Sequence, residues 1–342
     1  MNLHPTNDLA PLARPQGPGL ILTLTPNPST DRTIELAGPL ERGGVLRAAA
    51  ESAQAGGKGI NISRAAVAAG VPTLAVIPAL DDDAFVVGLL RDGIDCRPIA
   101  PTGPIRGNIT ITEPDGTTTK LNSPGPTATT ASLAALEDAL LARADRASWV
   151  VLAGSLPPGT PANWYAELVT ALRRTSTKVA VDTSDAPLRE LVAGLPGSAP
   201  DLMKPNGEEL ASLTGSDPEA VEADPAAAAK AAQVLLDGGV GAVLATLGAN
   251  GAVLATREGA WHATPPPTTV VSTVGAGDSS LFGYLLADLR GGSPVDRLTM
   301  AVAYGSAAAG LPGTTIPDPT HIRPEQVEAC RLDAITPGGR TP

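Results

Sequence analysis

The sequence predicts an α/β fold in which a mostly parallel, doubly wound sheet carries a small β-sheet lid. Short apolar runs alternate with amphipathic helical stretches over most of the chain, and two further segments contain extended patterns without helices between them. Alternating strands and helices of this length favour a parallel sheet that helices cover on both faces. In such sheets, ligands bind beyond the carboxyl ends of the strands.

The alternating elements begin at residue 20. A β-rich run at Leu20–Thr25 comes first, and helical spacing follows over Lys58–Ala69. Later strands are predicted at Thr73–Ala79, Ser148–Ala153, Lys178–Asp182 and Ala242–Thr246. Later helices are predicted at Ser132–Arg143, Trp164–Arg173, from Ala186, at Ala226–Asp237, Gly277–Leu289 and Val295–Ala309.

The segments without helices, Asp31–Ala53 and Ile105–Ser123, predict a small separate sheet. Asp115–Gly116 between two extended runs is typical of a β-hairpin turn. We place the lid strands at about residues 31–54 and 105–123. A small sheet is rarely stable alone, so this one is expected to decorate an edge, to cover the active site or to form a dimer surface.

The composition is that of a globular protein, with 43% apolar and 17% charged residues. No apolar run reaches the roughly 18–20 residues that span a bilayer, and the net charge of −11 argues against nucleic-acid and acidic-membrane binding. Cys96 and Cys330 form no disulfide framework, which favours the cytoplasm.

We expect a disordered tail at 1–19, a flexible tail at 336–342 and one large domain over 20–335.

The most informative segment is Val271–Ser280, which reads VSTVGAGDSS and leads into an apolar helix. Its small residues allow close approach of a ligand to the backbone, and a helix N-terminus attracts anions. A carboxylate there suits a base that takes a proton from a hydroxyl attacking a phosphate. The alternative is that Asp278 only caps the helix.

Other polar residues have two interpretations each. Gly56, Gly57, Lys58 and Gly59 form either an ordinary glycine-rich turn or a backbone pocket, with Asn61 reaching ligand hydroxyls. Asp31 either caps a turn after the first strand or accepts two sugar hydroxyls. Three cations on the lid-like strands are either surface charges or phosphate anchors, namely Arg47, Arg106 and Lys120.

Two later segments are also polar or glycine-rich, and the first of them has two interpretations. Asn206 and Glu209, in LMKPNGEEL with Lys204, form either a capping box or a binding site for a magnesium–water cluster. Thr246–Gly251, TLGANG, is typical of an ordinary hairpin turn.

Taken in order, these segments resemble the ribokinase-like (PfkB) family of carbohydrate kinases. AGGKGIN at Ala55–Asn61 resembles the family's N-terminal signature, and VVSTVGAGDS at Val270–Ser279 its C-terminal one. The resemblance covers about residues 20–330, with further matches at Gly154–Gly159, Asp182–Ser184, Lys204–Glu209 and Thr246–Gly251. Within the family, the motifs are most similar to those of bacterial 1-phosphofructokinases.

The resemblance implies a role for each candidate residue. Asp278 would be the catalytic base, and the amides of Gly275, Ala276 and Gly277 the anion hole. Residues expected to hold the sugar phosphate are Asp31, Gly57, Asn61, Arg106, Lys58, Arg47 and Lys120. Residues expected to serve the nucleotide are Lys204, Asn206, Glu209, Thr246, Gly248, Gly251, Gly277 and Ser306, with Ala303–Ser306 near adenine. Asn206 and Glu209 would hold magnesium through water.

The implied activity is ATP-dependent phosphorylation of fructose 1-phosphate to fructose 1,6-bisphosphate, with Mg²⁺. The resemblance leaves open a monovalent cation beside the anion hole. Alternative acceptors are tagatose 6-phosphate and fructose 6-phosphate, and a different class of function is a non-catalytic sugar-phosphate sensor. We expect the chain to form a homodimer through the lid sheet. We do not expect it to bind nucleic acid or a membrane.

Overall fold

The computed structural model describes residues 19–313 and 315–332 of the chain. The tails predicted at 1–19 and 336–342 lie outside the described residues, apart from Gly19. The strands are β1 (Ile21–Leu24), β2 (Ser29–Leu36), β3 (Ala48–Gly56), β4 (Thr73–Pro78), β5 (Cys96–Ile99), β6 (Arg106–Thr112), β7 (Thr118–Asn122), β8 (Trp149–Ala153), β9 (Lys178–Asp182), β10 (Leu202–Met203), β11 (Ala242–Thr246), β12 (Ala252–Thr256), β13 (Gly259–Thr264) and β14 (Glu328–Arg331).

The helices alternate with these strands, as the sequence predicts. They are α1 (Lys58–Ala68), α2 (Ala84–Arg91), α3 (Thr130–Ala144), α4 (Trp164–Leu172), α5 (Asp185–Ala193), α6 (Gly207–Thr214), α7 (Pro218–Ala223), α8 (Pro225–Asp237), α9 (Ala276–Leu289) and α10 (Pro294–Ala309). Within the described ranges, none of them is long and apolar enough to cross a membrane.

The main sheet has the strand order β14-β13-β12-β11-β10-β9-β8-β1-β4-β5 over the described residues. From β5 to β11 every neighbouring pair is parallel. Strands β12, β13 and β14 add an antiparallel edge. Successive side chains of a strand point to opposite faces of the sheet. Apolar side chains therefore emerge on both faces, and helices cover both. The predicted fold class, a mostly parallel doubly wound sheet, is confirmed.

Adjacent residues of β1 and β8 show how the two faces divide. Leu22 and Val150 pack with side chains of α3 to α8 in one core, whereas Ile21 and Trp149 pack with α1, α9 and α10 in another. All four side chains are at most 2% exposed. The parallel strands are therefore apolar on both faces, which explains their continuous hydrophobic runs in the sequence.

The smaller sheet has the order β3-β2-β6-β7. Strands β2 and β6 are parallel, and β3 and β7 pair antiparallel on the outside. The predicted hairpin at Asp115–Gly116 joins β6 to β7, with Gly116 at φ +90° and the Thr117 amide donating to Asp115. The separate small sheet is thus confirmed, while the boundaries of a lid domain remain a prediction.

Candidate active site

Helix α9 begins with a glycine-rich turn, and its first amides have no partner within the helix because no preceding turn supplies carbonyl groups; the Ala276 amide donates over a long 3.4 Å to the Thr273 carbonyl. Gly275 precedes the helix in a left-handed conformation, with φ +79°. Asp278 is the third residue of α9 and is only 6% exposed. The interpretation of Asp278 as a helix cap is therefore wrong, because Gly275 occupies the N-cap position. The carboxylate lies in the first turn of α9, beside the positive end of the helix dipole.

Helix α1 supplies the hydrogen-bond partner of that carboxylate. The helix starts after Gly57, whose φ of +126° and close approach to Thr25 exclude a side chain. Asn61, which is buried, donates from Nδ2 to Asp278 Oδ2 over 2.8 Å. This hydrogen bond fixes the orientation of the carboxylate and involves only Oδ2 of Asp278, not Oδ1.

Burial raises the pKa of Asp278, and the charge of Asp182 adds to the effect. The charge of Lys58 and the Asn61 hydrogen bond oppose the rise without cancelling it. A carboxyl group with a raised pKa is a stronger base once it is ionised, as a general base requires. The geometry and the pKa of Asp278 are therefore compatible with proton abstraction.

Asp182, at the carboxyl end of β9, binds two lysines and was not among the predicted site residues. Lys58 Nζ donates to Asp182 Oδ1 over 2.7 Å, and Lys204 Nζ forms an ion pair with Asp182 Oδ2 at 3.4 Å. Burial would raise the pKa of Asp182, but Lys204 and Lys58 outweigh it and hold the pKa below its usual range. Burial would lower the pKa of Lys58, but Asp182 and Asp278 raise it.

Lys204 also reaches the amide end of α9. A Cβ atom on Gly277 would lie 3.2 Å from Lys204 Nζ. The ammonium group therefore lies beside the predicted anion hole, as Lys58 lies beside the predicted base. Two buried carboxylates and two lysines come together at this edge of the sheet, although the sequence reasoning placed Lys58 on the sugar phosphate.

Asp31 is the third residue of β2, where the predicted lid segment begins, just past the turn after the first strand. Ser29 Oγ donates to Asp31 Oδ1 over 2.7 Å, and Asn108 Nδ2 donates to the same oxygen over 2.9 Å. A Cβ atom on Gly56 would overlap the Asp31 carboxylate. The glycine therefore makes room for Asp31 where β3 turns towards α1.

Arg106 starts β6 and is half-buried, next to Asp31. It donates from Nη1 to the Ser123 carbonyl over 2.8 Å and from Nε to the Asn27 carbonyl over 3.3 Å. Burial lowers the pKa of Arg106, although the charge of Asp31 opposes this. The guanidinium is thus held in place by backbone acceptors and faces the same region as Asp31.

The other two lid cations are not drawn into this cluster. Lys120 lies in β7 with an exposed side chain, and Arg47 precedes β3 instead of lying on a strand as predicted. Arg47 is also exposed. For both residues, a role in phosphate binding remains a prediction.

Asn206 and Glu209 form the capping box of α6. Asn206 Oδ1 accepts from the Glu209 amide over 2.7 Å, and Glu209 Oε2 accepts from the Asn206 amide over 2.9 Å. No group of three or more His, Cys, Asp or Glu side chains in the described ranges could hold a metal ion. Magnesium that keeps its waters needs only one or two carboxylates besides phosphate, and the cap leaves Glu209 Oε1 for a water ligand. The residues therefore fit a contact through water.

The predicted nucleotide residues lie along the same edge of the sheet. Thr246 ends β11 and bridges to Asn206, and Gly248 at φ +54° starts the turn to β12. Gly251 is required because a Cβ there would overlap the Ala263 carbonyl. Ser306, on α10, forms a 2.7 Å hydrogen bond with Thr268. The roles of these individual residues in nucleotide binding remain predictions.

Comparison with known proteins identifies the family. The model of the pfkB family carbohydrate kinases matches residues 25–321. A 1-phosphofructokinase of Haloferax volcanii is 37% identical over 87% of this chain and 94% of its own. An ATP-dependent 6-phosphofructokinase isozyme 2 of Mycobacterium tuberculosis is 32% identical over 89% of this chain and 88% of its own.

A solved structure agrees with these sequence relatives. The crystal structure of phosphofructokinase-2 from Escherichia coli in complex with substrates and products superimposes with a TM-score of 0.80. The two chains are 28% identical, and the match covers 88% of this chain and 96% of that one. With the fold, the site and the family model in agreement, this chain belongs to the pfkB family of carbohydrate kinases.

Proposed function

We propose that this chain transfers the γ-phosphoryl group of ATP to the 6-hydroxyl of fructose 1-phosphate, giving fructose 1,6-bisphosphate. The observation that carries the proposal is the buried Asp278 carboxylate at the start of α9, held by Asn61 and flanked by two lysines. The similarity to a 1-phosphofructokinase over nearly the whole length of both chains supports the acceptor.

In this proposal, Asp278 takes the proton from the attacking hydroxyl while Asn61 keeps its carboxylate in position. The amides of Gly275, Ala276 and Gly277 stabilise the charge on the transferring phosphoryl group, and Lys204 adds a positive charge beside them. Mg²⁺, held through water by Asn206 and Glu209, would neutralise charge on the ATP phosphates. The step is a direct transfer without a covalent phosphoenzyme.

The sugar phosphate would lie between the lid and α1. Asp31 has one oxygen occupied by Ser29 and Asn108, which leaves Oδ2 for sugar hydroxyls. Arg106 lies next to Asp31 on the neighbouring strand and would bind the existing phosphate. A guanidinium is well suited to a phosphate because it offers several donors in a fixed plane.

The acceptor is tested by comparing kcat/KM for fructose 1-phosphate, fructose 6-phosphate and tagatose 6-phosphate in one coupled assay. The proposal predicts the highest value for fructose 1-phosphate. A preference for either 6-phosphate would replace it by one of the alternative acceptors. Absence of ADP formation with all three, in a protein that binds them, would support the sensor instead.

The assembly and the ions belong to the same proposal. The lid carries exposed apolar side chains, including Val45 at 92% and Leu121 at 55% exposure, and these favour a homodimer through the lid. Sedimentation at micromolar concentration tests this, with Val45→Glu expected to give a monomer.

Assays in potassium and in sodium salts test for a monovalent cation. A cytoplasmic location, favoured by two free cysteines, is tested by fractionation.

A further inference from the structure

Asn108, on lid strand β6, is the residue that links the lid to the predicted sugar-binding carboxylate. In the parallel pairing of β2 with β6, Asp31 lies opposite Asn108 and Ser29 lies opposite Arg106. Residues two apart on a strand share one face. The pairing therefore places Asp31, Asn108 and Arg106 on the same side of the lid sheet.

The side chains of Ser29, Asp31 and Asn108 form a closed set of hydrogen bonds. Asn108 Nδ2 donates to Asp31 Oδ1 over 2.9 Å and to Ser29 Oγ over 3.0 Å, and Ser29 Oγ donates to Asp31 Oδ1 over 2.7 Å. The orientation of the Asn108 amide follows from chemistry, since its carbonyl oxygen facing the carboxylate would be repelled. Both donors reach the same oxygen, so the carboxylate cannot rotate freely.

The surroundings of the set point towards a ligand. A Cβ on Gly56 would overlap the Asp31 carboxylate, so the backbone closes one side of it. Within the described ranges, Asn108 Oδ1 is buried without a hydrogen-bond partner. An unsatisfied buried acceptor is costly, and such groups are typical of functional sites. Asp31 Oδ2, which takes part in none of these hydrogen bonds, is the acceptor offered to a polyol.

We propose that Asn108 is a positioning residue for sugar binding: it holds the Asp31 carboxylate through its amide hydrogens and couples the seating of the lid to the affinity for the sugar phosphate. The inference rests on the proposed function only in assigning Asp31 to sugar hydroxyls. It adds a residue on the lid that acts through Asp31, not on the transferring phosphoryl group.

The test variant is Asn108→Asp, which keeps an oxygen acceptor in place and removes the amide donor. At pH 8 the KM for the sugar phosphate should rise about 10- to 100-fold, the range expected for losing a hydrogen bond to a charged group. The KM for ATP should stay within twofold. The matched control is Gln326→Glu, which adds the same charge at an exposed residue before β14, at the edge of the main sheet opposite β5, and should leave every constant within twofold.

A pH series separates positioning from mere structure. Two adjacent carboxyl groups share a proton, which raises one of their pKa values, and the protonated group can donate to its neighbour as the amide does. The ratio of sugar KM in Asn108→Asp to that in wild type should therefore shrink as the pH falls from 8 to 5.5. Because Asp278 titrates in both proteins, its effect on the sugar KM cancels in this ratio.

Ser29→Ala provides a second, milder variant that removes the other donor to Asp31 Oδ1. It should raise the sugar KM about three- to tenfold, with the KM for ATP unchanged. The inference is overturned if both variants leave the sugar KM within twofold, if the KM for ATP rises equally, or if the ratio does not change with pH. All assays use the acceptor that the wild type prefers, so a wrong acceptor would not be mistaken for a wrong role of Asn108.

Discussion

Asn61 donates a hydrogen bond of 2.8 Å to Asp278 and so joins the first turn of α1 to the first turn of α9. The two residues are 217 positions apart. Both helices start with glycine-rich turns, and both lie on the same face of the main sheet. Asp278, the predicted base of the reaction, is therefore oriented by α1, the helix that directly follows lid strand β3 in the sequence.

The pH dependence of catalysis should reflect the raised pKa of Asp278. Burial raises this pKa, and only the ionised carboxylate can accept a proton. We expect kcat/KM to fall as the pH falls, through an apparent pKa above the roughly 3.9 of an ordinary aspartate. The measurement is a pH profile from 4.5 to 9 at saturating ATP. A profile that stays flat down to the pH of unfolding would contradict this assignment.

Removing Lys204 from its buried ion pair with Asp182 should destabilise the fold. Lys204→Met leaves Asp182 with one lysine in a site where both partners are nearly inaccessible, with side chains 5% and 1% exposed. Because Lys58 still pairs with Asp182, the expected loss is about 1.5–3 kcal/mol, as for one hydrogen bond to a charged group. Urea unfolding at pH 7 measures this loss. Lys230→Met, on the exposed side of α8, is the control and should change stability by less than about 0.5 kcal/mol.

The same variant has a predicted pH dependence. The lysines hold the pKa of Asp182 below its usual range. The stabilisation is therefore fully present above the pKa of the unfolded chain and is lost as the pH falls through the folded pKa. The difference between Lys204→Met and wild type should shrink in acid. A difference that stays constant down to acid pH would exclude an electrostatic origin.

How far the sequence predicts the fold and the site depends on whether the information is local. The strand–helix alternation and the glycine-rich start of α9 are local patterns, and both agree with the structure. Asp182 was missed because Lys58 lies 124 residues away, and only the strand order brings them together. The hydrogen bonds of Asp31 were missed for a related reason, since its partner Asn108 is 77 residues away.

Gly56→Ala should impair sugar binding without unfolding the protein. The added Cβ would overlap the Asp31 carboxylate, which must then move away from its two donors. We expect the sugar KM to rise about tenfold or more, in line with the loss of a hydrogen bond to a charged group. Gly88→Ala, in α2, is the control because its Cβ meets nothing within 4 Å. Equal kinetics for both variants would argue against sugar binding at Asp31.

Arg106→Ala should weaken binding of the phosphorylated acceptor. Its guanidinium is half-buried next to Asp31 and is held in place by two backbone carbonyls. Loss of charge-assisted hydrogen bonds to phosphate should raise the sugar-phosphate KM about 10- to 100-fold. Arg32→Ala, at an exposed ion pair on β2, serves as the control. An unchanged KM in Arg106→Ala would place the phosphate elsewhere.

The central claim is that Asp278 is the base, and Asp278→Asn tests it most directly. The substitution keeps the shape of the side chain and removes the proton acceptor. Because the pKa of Asp278 is raised, its ionised form does not stabilise the fold at neutral pH. The urea concentration at the midpoint of unfolding at pH 7 should therefore be at least as high for the variant as for wild type. Measured side by side, kcat should fall about 10²- to 10⁴-fold while the dissociation constant of the sugar phosphate changes little. A folded Asp278→Asn protein that retains kcat within about threefold of wild type would contradict the account.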